Sequence, residues 1–184
     1  MRLLEAAGIA FATVASSVNE RATEAPLMMR GASPAEVAAA LADAKAMDVS
    51  TRERDALVIG ADPTLDCDGV RWTKPANVTE ARAQLARLAD RTHRLHSSVA
   101  VARDSAVIWR HAASASLAMR ALTASEIDAY LAEVGEAALA SVGAYQIEGP
   151  GIRLFERIEG DYFAILGLPL LPLLLYLRGE GAIP

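Results

Sequence analysis

The run Leu57-Val58-Ile59-Gly60-Ala61-Asp62 constrains the fold of this chain more than any other stretch. A short apolar segment with β-branched residues, closed by small turn-forming residues, reads as a buried strand. A carboxylate just past such a strand is expected at the carboxyl edge of the sheet, where open α/β sheets hold their ligands. Asp62 is therefore the first candidate for a functional residue.

Helical signals flank that strand. Ser33-Pro34-Ala35-Glu36 joins a capping Ser, a first-turn Pro and a Glu three residues after the cap. Val37, Leu41 and Ala44 carry one apolar stripe down to Lys45, which is expected near the end of the helix, where a cation suits its dipole. Asn77-Val78-Thr79-Glu80 and Thr123-Ala124-Ser125-Glu126 open two further helices. Met1 to Ala7 reads as a helix tail stopped by Gly8, Ile9 to Ala15 as a strand, and Val18 to Arg21 as a polar loop.

Asp66-Cys67-Asp68-Gly69 is a hairpin signal; its alternating aspartates resemble a calcium loop but lack the downstream Glu. Strands are expected at Val70–Trp72, Leu95–Ala102, Ala106–His111, Ala113–Leu122 and Ile152–Ile158. From Ala164 to Leu177 run fourteen mainly apolar residues that include Pro169 and Pro172. A membrane span needs about twenty, so a buried helix or strand-turn-helix is expected. The result is an α/β chain of one domain over residues 1–184.

Charge narrows the partners. With 18 Lys and Arg against 23 Asp and Glu, the net charge is −5. No basic run is long enough to track a nucleic-acid backbone. The lone Cys67 excludes an internal disulfide and fits a reducing compartment. Neither a nucleic-acid polymer nor a membrane is expected as partner, and the expected location is the cytoplasm. His93, His96 and His111 lack the spacing of a metal site.

Gly143-Ala144-Tyr145-Gln146-Ile147-Glu148-Gly149-Pro150-Gly151 places three glycines in nine residues, which lets backbone approach a strand or a ligand closely. It matches no phosphate-loop pattern. On residues alone, the chain offers a carboxylate at a strand end with Lys45 and Lys74 on flanking elements, a plausible phosphate site.

The ordered set of motifs resembles the Maf family, nucleoside triphosphate pyrophosphatases also known as septum formation inhibitors. The resemblance rests on Leu3-Leu4-Glu5-Ala6-Ala7-Gly8-Ile9, Val18-Asn19-Glu20, Ala44-Lys45-Ala46, Ile59-Gly60-Ala61-Asp62, Lys74-Pro75, Gly143-Ala144-Tyr145 and Gly167-Leu168-Pro169-Leu170. It implies a twisted mixed sheet flanked by helices, with two lobes around a central cleft. It also implies hydrolysis of a nucleoside triphosphate to monophosphate and pyrophosphate with Mg²⁺ or Mn²⁺, in a homodimer.

Carried over by position, Asp62 and Glu20 would be catalytic and hold the metal. Lys45, Lys74 and Glu148 would bind substrate. Two carboxylates and two lysines suffice for a reaction that needs mainly positioning and charge neutralisation.

Departures from the pattern are Asn19 for Asp, Pro63 for Thr or Gln, Thr73 for Gly, and the loss of a Gly at Asp90. The family's Ser-x-Ser-Pro-x-Arg loop would precede Met1, so the chain as given is expected to be a weak catalyst whose gene starts upstream. A degenerate nucleotide-binding or regulatory protein is the alternative. The pyrimidine-preferring branch carries Asp-Lys where this chain has Ala140 and Ser141. The stretch Glu148 to Glu156 is more similar to the branch that prefers 7-methyl-GTP.

Overall fold

Ser33 folds as its sequence predicts: its hydroxyl accepts from the Glu36 amide while the Glu36 carboxylate accepts from the Ser33 amide. In a computed structural model describing residues 2–184, this capping box starts a long helix. The helices in chain order are α1 (Arg2–Ala6), α2 (Glu20–Met29) and α3 (Pro34–Ser50), then α4 (Val78–Leu88), α5 (Ala124–Val134), α6 (Tyr162–Ile165) and α7 (Leu170–Gly179). The strands are β1 (Val58–Cys67), β2 (Val70–Trp72), β3 (Thr92–Arg103), β4 (Ala106–Met119) and β5 (Phe155–Gly160).

The expected α/β sheet is present, in the order β2-β1-β3-β4-β5. Its strands run antiparallel rather than in the mixed arrangement expected. Short links fix two of its four pairs: β1 turns into β2 through Asp68-Gly69 and β3 into β4 through Asp104-Ser105, all four residues at positive φ. Two-residue hairpin loops of this kind join only antiparallel neighbours.

Several boundaries differ from the sequence expectation. Residues 9–15 form no strand and are largely exposed, because nothing in their sparse apolar pattern finds a sheet partner. Glu20 opens α2 instead of lying in a loop, with Asn19 as N-cap accepting from the Ala22 amide at 3.2 Å. The expected strands at 106–111 and 113–122 are one strand, β4. Residues 150–154 form a 3₁₀ turn ahead of β5, and Gly167 to Pro169 separate two helices in the apolar C-terminal stretch.

The chain divides into two compact units. The first holds Met1–Pro63, His96–Ala113 and Asp161–Pro184. Its core joins Leu4, Val99, Val101, Leu168, Leu170, Leu173 and Leu177, with a second cluster of Ala42, Ala46, Ala100 and Ala102. The second holds Thr64–Leu95 and Ser114–Gly160. There Leu85, Leu88, Leu117 and Leu131 are buried, and Arg82 of α4 donates to Asp128 of α5 at 2.6 Å. Among the described residues no helix is long and apolar enough to cross a membrane.

Candidate functional site

Small residues bring the site together. A Cβ at Gly60 would stand 2.6 Å from the Ala46 amide nitrogen and closer still to the Ala42 carbonyl. Only glycine at 60 and alanines on the facing helix let α3 lie this close to β1. The neighbouring Lys45 is thereby carried to Asp62.

Asp62 sits in the middle of β1, not past its end, because the strand continues through Pro63 to Cys67. Pro63 is tolerated there: β2 pairs only with residues 65–67, so earlier in β1 one side has no β2 partner needing an amide donor. Asp62 is 5% exposed.

Lys45 likewise differs from expectation. The helix runs on to Ser50, so Lys45 lies more than a turn before its end and does not serve the dipole there. Its Nζ instead donates to Asp62 Oδ1 at 2.5 Å and lies 2.7 Å from Glu20 Oε1. Burial pulls the Lys45 pKa down, but hydrogen bonds and charge from Asp62 and Glu20 more than offset this and raise it. The ammonium is therefore charged throughout the neutral range. Glu20, the first residue of α2, keeps half of its side chain in solvent.

Three of the five expected site residues thus meet in the first unit. Their charges, −1, −1 and +1, sum to −1. A net negative cluster attracts a cation, and a bound cation would let Lys45 face a polyphosphate. Two carboxylates converging on one ammonium also supply the hard oxygen donors that Mg²⁺ or Mn²⁺ prefers, typically one or two carboxylates with water and phosphate completing the shell. The donor set fits such an ion at Asp62 and Glu20. Among the described residues no group of three or more His, Cys, Asp or Glu side chains is placed to hold a metal ion by itself.

Lys74 and Glu148 belong to the second unit, and both are exposed. The Lys74 loop is pinned on both sides. Gln84 Nε2 donates to the Thr73 carbonyl at 2.9 Å, and the Ala76 amide donates to Glu80 Oε2 at 2.8 Å.

Glu148 lies on the turn after Ile147, inside the glycine-rich stretch. A Cβ at Gly151 would stand 2.8 Å from the Gln146 amide nitrogen, so the loop closes on itself only with glycine there. Tyr130 Oη donates to the Ala144 carbonyl at 3.2 Å, and Tyr145 Oη shares a 2.7 Å hydrogen bond with His93 Nε2. His93 is fully buried against Tyr145 and Phe155, and burial holds its pKa down at about 4. His111 stacks with Trp109 instead.

Asp66 and Asp68 serve the hairpin, as expected from their turn chemistry. Asp66 Oδ1 accepts from the Gly69 amide at 2.8 Å, and Asp68 pairs with Arg91 at 2.5 Å. Sequence reasoning missed Asp48, whose carboxylate binds Ser16, Ser17 and Arg52. Its only sequence signal is a position three residues beyond Lys45 on the same helix face.

Comparison with known proteins adds an independent finding. The family model described as Maf-like protein matches residues 1–180. The chain is 54% identical over 181 residues to a 7-methyl-GTP pyrophosphatase of Rhizobium meliloti, covering 98% of this chain and 91% of that protein. It is 52% identical, with the same coverage, to a 7-methyl-GTP pyrophosphatase of Brucella abortus. A nucleoside triphosphate pyrophosphatase of Paramagnetospirillum magneticum is 49% identical over 180 residues, covering 98% of this chain and 93% of that protein.

Proposed function

Because this chain belongs to the Maf family, we propose that it is a nucleoside triphosphate pyrophosphatase acting on an N7-methylated guanine nucleotide. The observation that carries this reading is the meeting of Glu20, Lys45 and Asp62. It gathers, within one unit, a buried carboxylate, a charged ammonium and a second carboxylate open to solvent.

Water attacks the α-phosphorus, the α–β anhydride bond breaks, and pyrophosphate leaves. Asp62 orients the water and takes its proton; general-base help of this kind contributes about 10²–10⁴-fold. Glu20 positions the water from the solvent side. Lys45 and Lys74 offset phosphate charge, as point charges rather than bidentate forks. Asp62 and Glu20 would hold Mg²⁺ or Mn²⁺, which when bound offsets triphosphate charge and polarises its oxygens.

Methylation at N7 puts a positive charge on guanine and leaves its N1–H and N2–H donors in place. Glu148 can accept from those donors and balance that charge. A pyrimidine offers no such cation. The names of relatives at 52–54% identity support this choice of base. We place the protein in the cytoplasm, among its substrates, and as a homodimer.

The test is a panel of 7-methyl-GTP, GTP, dTTP and UTP with Mg²⁺ or Mn²⁺, scored for pyrophosphate, and repeated with EDTA. Release is expected, fastest with 7-methyl-GTP and absent with EDTA. No pyrophosphate from any nucleotide would leave the nucleotide-binding regulatory protein as the better reading.

A further inference from the structure

Glu20 is a solvent-facing side chain on a helix that buries none of its residues. The packing of α2 against α3 goes through half-buried side chains only, Thr23, Glu24 and Leu27. Yet the proposed chemistry needs Glu20 held within reach of Lys45 and Asp62. Contacts just upstream of Asn19 add to what sets the start of the helix.

Asp48 has the geometry for this. On α3 it lies three residues after Lys45, so both side chains leave the same face of the helix. Its carboxylate accepts from Ser16 Oγ at 3.1 Å, from the Ser17 amide at 2.8 Å and from Ser17 Oγ at 2.7 Å. Arg52, one turn further along α3, donates to Asp48 Oδ2 at 2.8 Å and to the Ala15 carbonyl at 3.1 Å. Residues 15–17 are otherwise irregular and exposed chain.

The link from this clasp to Glu20 is short and directed. The Val18 amide donates to Ser16 Oγ, turning the chain, and Asn19 then caps α2 through the Ala22 amide. Only Val18 and Asn19 lie between Ser17 and Glu20, so three chain steps span at most about 11 Å. Fixing Ser17 on α3 thus confines Glu20 to the neighbourhood of Lys45, where its Oε1 is found 2.7 Å from Nζ.

We propose that Asp48 is a positioning residue for Glu20: by clasping residues 15–17 to α3 it sets the start of α2 and so holds Glu20 at the reacting end of the substrate. The inference rests on the pyrophosphatase reading above. Hydrogen bonds from the Ser17 hydroxyl and amide hold the Asp48 carboxyl down at about 2, so the clasp stays intact at every pH where the enzyme would be assayed.

The experiment compares wild type, Asp48→Ala, Asp48→Asn, Glu20→Gln and the Asp48→Ala/Glu20→Gln double variant by pyrophosphate release and amide hydrogen exchange. In Asp48→Ala, exchange should rise at residues 15–23 and kcat/KM should fall about tenfold or more, mainly in kcat, since small misplacements are this costly. Asp48→Asn keeps an oxygen acceptor and should fall between. The double variant should be no slower than Glu20→Gln alone.

Additive losses would overturn the proposal, because Asp48 would then act other than through Glu20. So would raised exchange with unchanged kcat/KM. A wild-type protein that releases no pyrophosphate would instead overturn the pyrophosphatase reading itself, which distinguishes the two failures.

Discussion

Gly60 of β1 faces Ala46 of α3 so closely that a Cβ at position 60 would stand 2.6 Å from the Ala46 amide nitrogen. The obstacle is backbone, which cannot rotate away. Gly60→Ala should therefore push α3 off the sheet and destabilise the fold by about 1–3 kcal/mol, the usual range for overpacking. Because Lys45 and Asp62 sit on the two displaced elements, pyrophosphate release should fall as well. Thermal unfolding checks the first effect, and an unchanged Tm would show that the contact is not as tight as described.

His93 should make stability depend on pH. Its ordinary pKa of 6.5 is held down at about 4 by burial, and its Nδ1 has no hydrogen-bond partner. The folded state therefore resists protonation that the unfolded chain accepts. The stabilisation is full above pH 6.5 and is lost as pH falls from 6.5 towards 4, amounting to about 3 kcal/mol. Urea unfolding of wild type and His93→Phe across pH 4–7 should show this slope in wild type and a flatter profile in the variant. Parallel profiles would contradict it.

Lys74 and Glu148 should separate phosphate binding from base choice. On the proposed reading Lys74 would meet every triphosphate alike, so Lys74→Ala should raise KM several-fold for all nucleotides. Glu148→Gln removes the charge proposed to balance a methylated guanine, so any advantage of 7-methyl-GTP over GTP should shrink about tenfold, the loss of one charge-assisted contact. Equal effects of the Glu148 change on both nucleotides would remove it from base recognition.

Much of this architecture is legible in local chemistry. The capping boxes at Ser33 and Thr123 and the Asp68-Gly69 hairpin involve neighbours in sequence, and the structure keeps all three. α2 is not legible, because Pro26 lies inside it and it has no buried stripe to announce a helix. The reach of β1 past Asp62 is hidden too, since Pro63 reads as a strand terminator unless the shortness of β2 is known.

The site divides in the same way. Asp62, Lys45 and Glu20 can be named from the sequence, but their contact depends on α3 running past Lys45 and on Gly60 admitting it. The Asp48 clasp joins residues more than thirty positions apart through exposed polar groups, a pairing that no periodicity encodes.

Asp62→Asn asks most directly whether the buried carboxylate at the Lys45 ammonium takes the proton, as proposed. The change keeps size and shape but removes the charge needed to take a proton or hold a metal. Measured as pyrophosphate released from 7-methyl-GTP with Mg²⁺ or Mn²⁺, turnover should fall at least about 10³-fold, beyond what one misplaced contact costs. The circular dichroism spectrum should be that of wild type. Near-wild-type release by a folded Asp62→Asn protein would remove Asp62 from the reaction.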